Sequence, residues 1–135
     1  MNGRYLLDTN TISYATSGRS ISALRKITAQ PIGSVLISSI SYAEIWYGLR
    51  RKAGATKLEG ATDALFAEAE ILPWTRLTAD VYASLRAEMH QRGKSLAPLD
   101  FLIAAHALEA GATLVTSDRA FHHVPGLAIE DWAAE

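Results

Sequence analysis

Five short apolar runs, Tyr5-Leu6-Leu7, Val35 to Ser38, Ile71-Leu72, Leu114-Val115-Thr116 and Ala128-Ile129, are separated by stretches of helical periodicity. That alternation constrains the chain more than any other feature. Parallel strands cannot be joined by tight turns, and each needs a crossover of a dozen or more residues, usually a helix. The sequence therefore predicts an α/β fold with a mostly parallel central sheet and helices on both faces. Helices are expected around Ile21 to Ala29, from about Leu58 to Glu70, to about Gln91 from a cap at Thr78 or Asp80, and from Pro98 to Ala110. Gly93 and Gly111 stand where left-handed helix stops belong. Tyr42, Ile45, Trp46 and Leu49 recur at i, i+3, i+4, i+7, which predicts one more helix with these four as its buried stripe. Asp8-Thr9-Asn10 reads as turn chemistry after the first strand.

Composition narrows the function classes. The 135 residues suit a single domain over 1–135, and an apolar fraction of 49% argues against disorder. The absence of cysteine excludes disulfide scaffolds, thiolate zinc sites, iron–sulfur clusters and cysteine nucleophiles. No apolar run approaches the roughly 18–20 residues of a membrane span, and no basic-then-apolar leader is present. A soluble, cytoplasmic protein without membrane attachment is expected. The net charge of −1 argues against a broadly basic nucleic-acid-binding surface.

Open parallel sheets bind ligands beyond the carboxyl ends of their strands. Asp8 follows the first strand directly, and Asp118 follows Leu114-Val115-Thr116-Ser117. Glu44 and Asp100 fall in the first turns of helices. Each acid has a structural use: Asp8 as a helix cap, Glu44 with Ser41 as a capping box, Asp100 at a helix dipole, Asp118 in a turn. Asp100 fits that account least well. Its helix continues Phe101-Leu102-Ile103-Ala104-Ala105-His106-Ala107-Leu108, apolar nearly all round, with Leu99, Ile103, His106 and Ala110 as a packing stripe. Ala104 and Ala107, not cations, share the face of Asp100. An interior carboxylate without a partner costs several kcal/mol, and a divalent cation is the simplest compensation. Glu44 lies off its helix's apolar stripe, with small Gly48 on its own face.

Taken in order, Tyr5-Leu6-Leu7-Asp8-Thr9-Asn10, Ser38-Ser39-Ile40-Ser41-Tyr42-Ala43-Glu44, Leu99-Asp100-Phe101-Leu102-Ile103-Ala104-Ala105-His106-Ala107 and Leu114-Val115-Thr116-Ser117-Asp118-Arg119 resemble a PIN-domain nuclease. Phe121, Val124-Pro125-Gly126-Leu127 and Glu130-Asp131-Trp132 resemble the ending of VapC-type toxins. The resemblance implies a catalytic acidic quartet at Asp8, Glu44, Asp100 and Asp118. It implies a Mg2+- or Mn2+-dependent endoribonuclease, with Asp8, Asp100 and Asp118 as metal ligands and Glu44 assisting. Some VapC-like chains carry asparagine where this one has Asp118. Such toxins are homodimers neutralised by a small VapB-like antitoxin, and the implied substrate is structured RNA, tRNA or ribosomal RNA, with tRNA favoured.

Four gathered acids suit phosphodiester cleavage, because hard carboxylate oxygens hold a metal that activates water and neutralises developing charge. Thr9, Asn10, Thr116 and Ser117 are expected donors to substrate or to metal-bound water. With the four acids set aside, 13 basic groups face 10 acidic ones. Arg50-Arg51-Lys52 with Lys57, and Arg86 with Arg92 and Lys94, are the phosphate-contact candidates; Arg51 and Lys94 are the two singled out. His106 reads as a packed helix residue, and His122-His123 as a solvated loop. Two other classes compete. A phosphoaspartate phosphohydrolase or switch also places an acid after the first strand, but Asn10 stands where its second aspartate belongs. A non-catalytic α/β binding module makes the acids mere caps and predicts indifference to metal.

Overall fold

The computed structural model describes residues 3–134. Among them the chain forms β1 (Tyr5–Leu7), α1 (Thr9–Ser17), α2 (Ile21–Thr28), β2 (Val35–Ser38), α3 (Ser39–Arg50) and α4 (Thr56–Glu68). There follow β3 (Glu70–Leu72), α5 (Arg76–Gln91), α6 (Pro98–Ala110), β4 (Thr113–Val115), a short 3-10 helix (Arg119–His123) and β5 (Ile129–Glu130). The strands form one sheet of order β3-β2-β1-β4-β5, and every neighbouring pair is parallel. The expected mostly parallel sheet is thus wholly parallel.

Strand alternation sorts the core into two layers. Leu6, Leu36 and Leu114 face α5, α6 and the 3-10 helix, packing with Met89, Phe101, Ala104 and Phe121. Leu7, Val35, Ile37 and Val115 face the opposite way, toward Ile12, Ile27, Ile45 and Leu65 of α1 to α4. Helices therefore cover both faces. Pro98 opens α6, and Gly111, at φ +65°, closes it with its N–H on the Ala107 and Leu108 carbonyls. Among the described residues no helix is long and apolar enough to cross a membrane.

Four local expectations need correction. Asp8-Thr9-Asn10 does not close a turn; Asp8 is a helix cap, as one of its two sequence readings had it, but of α1, a helix that polar Thr, Asn and Ser residues hid from an apolar-periodicity reading. The cap of α3 is Ser38, whose hydroxyl accepts the Ile40 N–H, so Ser41 and Glu44 form no capping box, and Ser41 is buried inside the helix. Tyr42 is 40% exposed; the buried stripe is Ser41, Ile45 and Leu49, because Tyr42 and Trp46 lean onto Phe66 of α4 at the edge of the layer. Helix α5 begins earlier than Thr78 or Asp80 suggests: Thr75 is its cap, and Thr78 is the third helical residue, returning a hydrogen bond to the Thr75 N–H.

Leu114 sits in register between Leu6 and Ile129 and is fully buried. Leu114→Ala should lower unfolding free energy by about 2–5 kcal/mol. Leu77→Ala, on the exposed side of α5, should change it by no more than about 0.5 kcal/mol. Urea unfolding followed by circular dichroism measures both; equal effects would mean that the two faces of the sheet are not packed as described.

Candidate functional site

The strand order reverses at β1. The chain leaves β1 toward β2 and β3 on one side, then crosses back to place β4 and β5 on the other. Connections diverging from neighbouring strands leave a crevice at their carboxyl ends, here between β1 and β4. Leu7 pairs with Val115, so the next residues, Asp8 and Thr116, emerge side by side. The Thr116 hydroxyl donates to one Asp8 oxygen at 2.5 Å. The other Asp8 oxygen accepts the Thr11 N–H at 2.8 Å and caps α1. The Thr116 oxygen in turn accepts the Asp118 N–H at 3.0 Å. One buried hydroxyl thus holds Asp8 and sets the backbone of Asp118, whose carboxylate caps the 3-10 helix through the Ala120 N–H at 2.9 Å.

Asp100 enters from the first turn of α6, and Glu44 from the second turn of α3. Together with Asp8, Asp118, Thr9, Asn10, Ile40, Leu99 and Ile103 they line one pocket of about 150 Å³. A larger, mostly apolar groove of about 750 Å³ lies between α1, α2 and α4, but none of the four acids reaches it. The small pocket is where the chemistry gathers.

Among the described residues no side-chain cation pairs with these acids, and the only ion pair joins Arg92 to Glu88, on the outer side of α5. Burial pushes the Asp8 carboxyl above its usual range; the Thr116 and Thr11 bonds pull it back, and the charge of Asp118 adds to the rise. Burial likewise raises Asp100, followed by repulsion from Asp118 and then Asp8. Three carboxylates therefore feel one another across the pocket. Among the described residues no three acids or histidines yet stand as a ready single-ion shell. A hard divalent cation still fits the donor set. The charged groups are all carboxylates and so offer oxygen, the net charge is strongly negative, and magnesium retains waters that span longer gaps to one or two carboxylates.

The other residues singled out in the sequence fall in different places. Thr9 and Asn10 line the pocket, and the Thr9 hydroxyl donates to Ser41. Thr116 is buried, with its hydrogen committed to Asp8, so it orients the carboxylate instead of presenting a donor to substrate. Ser117 is exposed and turned away from the pocket, donating to Asp131 at 2.9 Å. Arg51 lies just past α3, stacked 5.0 Å over the Tyr47 ring, and Lys94 is exposed between α5 and α6. Neither lines the pocket. His106 is buried as expected, and His122 and His123 are exposed on the 3-10 helix. Sequence reasoning missed Thr11, whose backbone N–H caps into Asp8 and whose hydroxyl donates to the Val115 carbonyl. Its position three residues after a cap-type aspartate was the available signal. Leu99 and Ile103, read as a packing stripe, also form the apolar wall of the pocket.

Fold and site together define an α/β protein with an uncompensated acidic pocket at the switch point of a parallel sheet. The PIN domain model matches residues 5–127. The chain belongs to the PIN-domain family, within its VapC group. It is 32% identical over 130 residues to "Ribonuclease VapC2" of Rickettsia felis, covering 95% of this chain and 97% of that one. It is 28% identical to the "tRNA(fMet)-specific endonuclease VapC" of Salmonella typhimurium, over 96% of this chain and 98% of that one. In the crystal structure of VapBC2 from Rickettsia felis bound to a promoter DNA fragment, one chain superposes with a TM-score of 0.84. That chain is 30% identical, and the match covers 95% of this chain and 98% of it.

Asp100 has a raised pKa and accepts no hydrogen bond among the described residues, so its ionised form is a cost in the metal-free protein. Asp100→Asn should raise the melting temperature in EDTA at pH 7 by a few degrees. A carboxyl raised on folding destabilises above its folded pKa, and that cost fades as pH falls through it toward 3.8. The advantage of the variant should therefore shrink on acidification. A variant no more stable than wild type at pH 7 would mean that Asp100 is already compensated.

Proposed function

We propose that this protein is a metal-dependent endoribonuclease that hydrolyses phosphodiester bonds in structured RNA, tRNA first, and acts as the toxin of a VapBC-type toxin–antitoxin pair. The observation that carries this is the convergence of Asp8, Asp100 and Asp118 on one pocket without a cationic partner among the described residues. Relatives support it: the Rickettsia felis protein is a ribonuclease, and the Salmonella typhimurium protein is a tRNA(fMet)-specific endonuclease. The Rickettsia felis structure is a VapBC complex, which supports a VapB-like antitoxin as the partner here. A homodimer in the cytoplasm is part of the same reading.

Asp8, Asp100 and Asp118 are the residues to hold Mg2+ or Mn2+, with Glu44 assisting from the other wall. When bound, such an ion supplies a water of lowered pKa and neutralises charge on the scissile phosphate. The protein's own part is orientation. Thr116 fixes the Asp8 carboxylate, Thr11 locks its second oxygen, and Asp118 is set by the same hydroxyl. Glu44 offers a carboxylate to steer or deprotonate water, and Asn10 offers an exposed amide at the mouth. Buried Ile103 and exposed Leu99 form the apolar wall beside these acids. Arg51 and Lys94, outside the pocket, contact RNA that extends beyond it.

Asp8→Asn, Asp100→Asn and Asp118→Asn should each lower RNA cleavage by about a hundredfold or more, and Glu44→Gln should leave a residue of activity. EDTA should stop the wild type, and Mg2+ or Mn2+ should restore it. Expression of the wild type alone should arrest growth, while Asp100→Asn should not. Cleavage of purified tRNA that persists in EDTA and in Asp8→Asn would end the metal-nuclease reading; equal harmlessness of both chains at equal soluble levels would end the toxin reading.

A further inference from the structure

Two of the four acids ride on helices that start far apart in sequence: Glu44 on α3 and Asp100 on α6. The seam between these helices holds a buried polar contact that the proposed chemistry does not use. His106 of α6 is 1% exposed, and its Nδ1 lies 2.8 Å from the hydroxyl of Ser38, which is fully buried. Ser38 ends β2 and caps α3, accepting the Ile40 N–H at 3.1 Å. Its own hydrogen is therefore free to be donated to Nδ1. The backbone of Pro73, just after β3, lies beside the ring. With Nδ1 accepting from Ser38, the neutral ring carries its proton on Nε2. Burial, which outweighs the nearby charge of Glu109, favours that neutral form.

The neighbouring residue repeats the pattern. The Trp74 N–H donates to Ser39 at 3.1 Å, and its indole N–H donates to the Leu102 carbonyl of α6 at 3.0 Å. The exit of β3 is thus clamped between the start of α3 and the middle of α6. An apolar side chain could fill this space, but it would let the two helices slide. Directional hydrogen bonds do not.

We propose that His106 is a positioning residue: through Ser38 it locks α6 against the start of α3 and so holds Asp100 and Glu44 at the spacing the acidic pocket requires. The proposal rests on the nuclease reading for its kinetic test, and on metal binding for a test without it.

Three single variants and one double decide the matter: His106→Leu, which keeps volume and removes the bond to Ser38; Ser38→Ala, which removes that bond together with the cap on Ile40; and His106→Asn, whose side-chain oxygen falls near the place of Nδ1. At a temperature where each is folded by circular dichroism, His106→Leu and Ser38→Ala should lower kcat about tenfold or more, with KM for RNA moved by less than about threefold. The double variant should be no worse than Ser38→Ala, which loses both the cap and the contact, and His106→Asn should recover most of the loss of His106→Leu. Calorimetric Mn2+ titration should show weaker binding in His106→Leu and Ser38→Ala than in wild type. Long-range nitrogen NMR of the wild type should show the Nε2-protonated neutral ring. An unchanged kcat in folded His106→Leu, or single losses that multiply in the double variant, would overturn the proposal. If the wild type cleaves no RNA, the nuclease reading fails by itself, and the strut is judged by Mn2+ alone; equal affinity in all three chains then sinks it. If His106→Leu does not fold, Ser38→Ala and His106→Asn carry the same comparison.

Discussion

The pairing of β1 with β4 is the contact on which the rest depends. Right-handed crossovers place α1 to α4 on one face as the chain moves through β2 to β3. The long return then puts α5 and α6 on the other face before β4 docks beside β1. Connections that diverge in this way leave the carboxyl ends of β1 and β4 uncovered. The register then settles the details. Because Leu7 pairs with Val115, Asp8 and Thr116 leave the sheet as neighbours, and a single hydroxyl can hold one carboxylate while fixing the backbone of the next.

What gathers at that crevice works against the stability of the fold. Asp8 is buried, Asp100 is half-buried, and both are raised by burial and by the nearby charge of Asp118. A protein selected only for stability would pair or remove such groups, since an interior charge without a partner is costly. The hydrogen bonds from Thr116 and Thr11 offset part of that cost at Asp8; among the described residues nothing comparable is present at Asp100. Sites that carry unrelieved repulsion in the free protein are those where a cation or a reacting group completes the charge balance.

Rigidity is supplied from behind. The buried Ser38–His106 contact and the Trp74 clamp tie together the helices that deliver Glu44 and Asp100, and neither contact touches the pocket itself. Beyond Asp118, Ser117 holds Asp131, and Trp132 is buried against Tyr5, so the end of the described chain braces the loop that carries the acid.

The sequence by itself determined the architecture and the acids. Apolar runs of strand length separated by helical stretches leave little choice but a parallel sheet, and carboxylates directly after Leu7 and shortly after Val115 are bound to its carboxyl edge. Asp100 was legible for a sharper reason: a charge on a helix apolar nearly all round demands a partner that the helix does not offer. Tertiary structure decided the rest. Helix α1 was invisible because its polar residues are satisfied by Asp8 and Val115, contacts that periodicity does not encode. Thr116 looked like a substrate donor until strand register turned its hydroxyl to Asp8, and Ser117, one residue on, faces the other way. Ser41 and Glu44 matched a capping box, yet the helix had already begun at Ser38, where His106, 68 residues later, meets the cap. Local pattern reports what a residue can do; which of its possible partners is present depends on chain segments that only packing brings within reach.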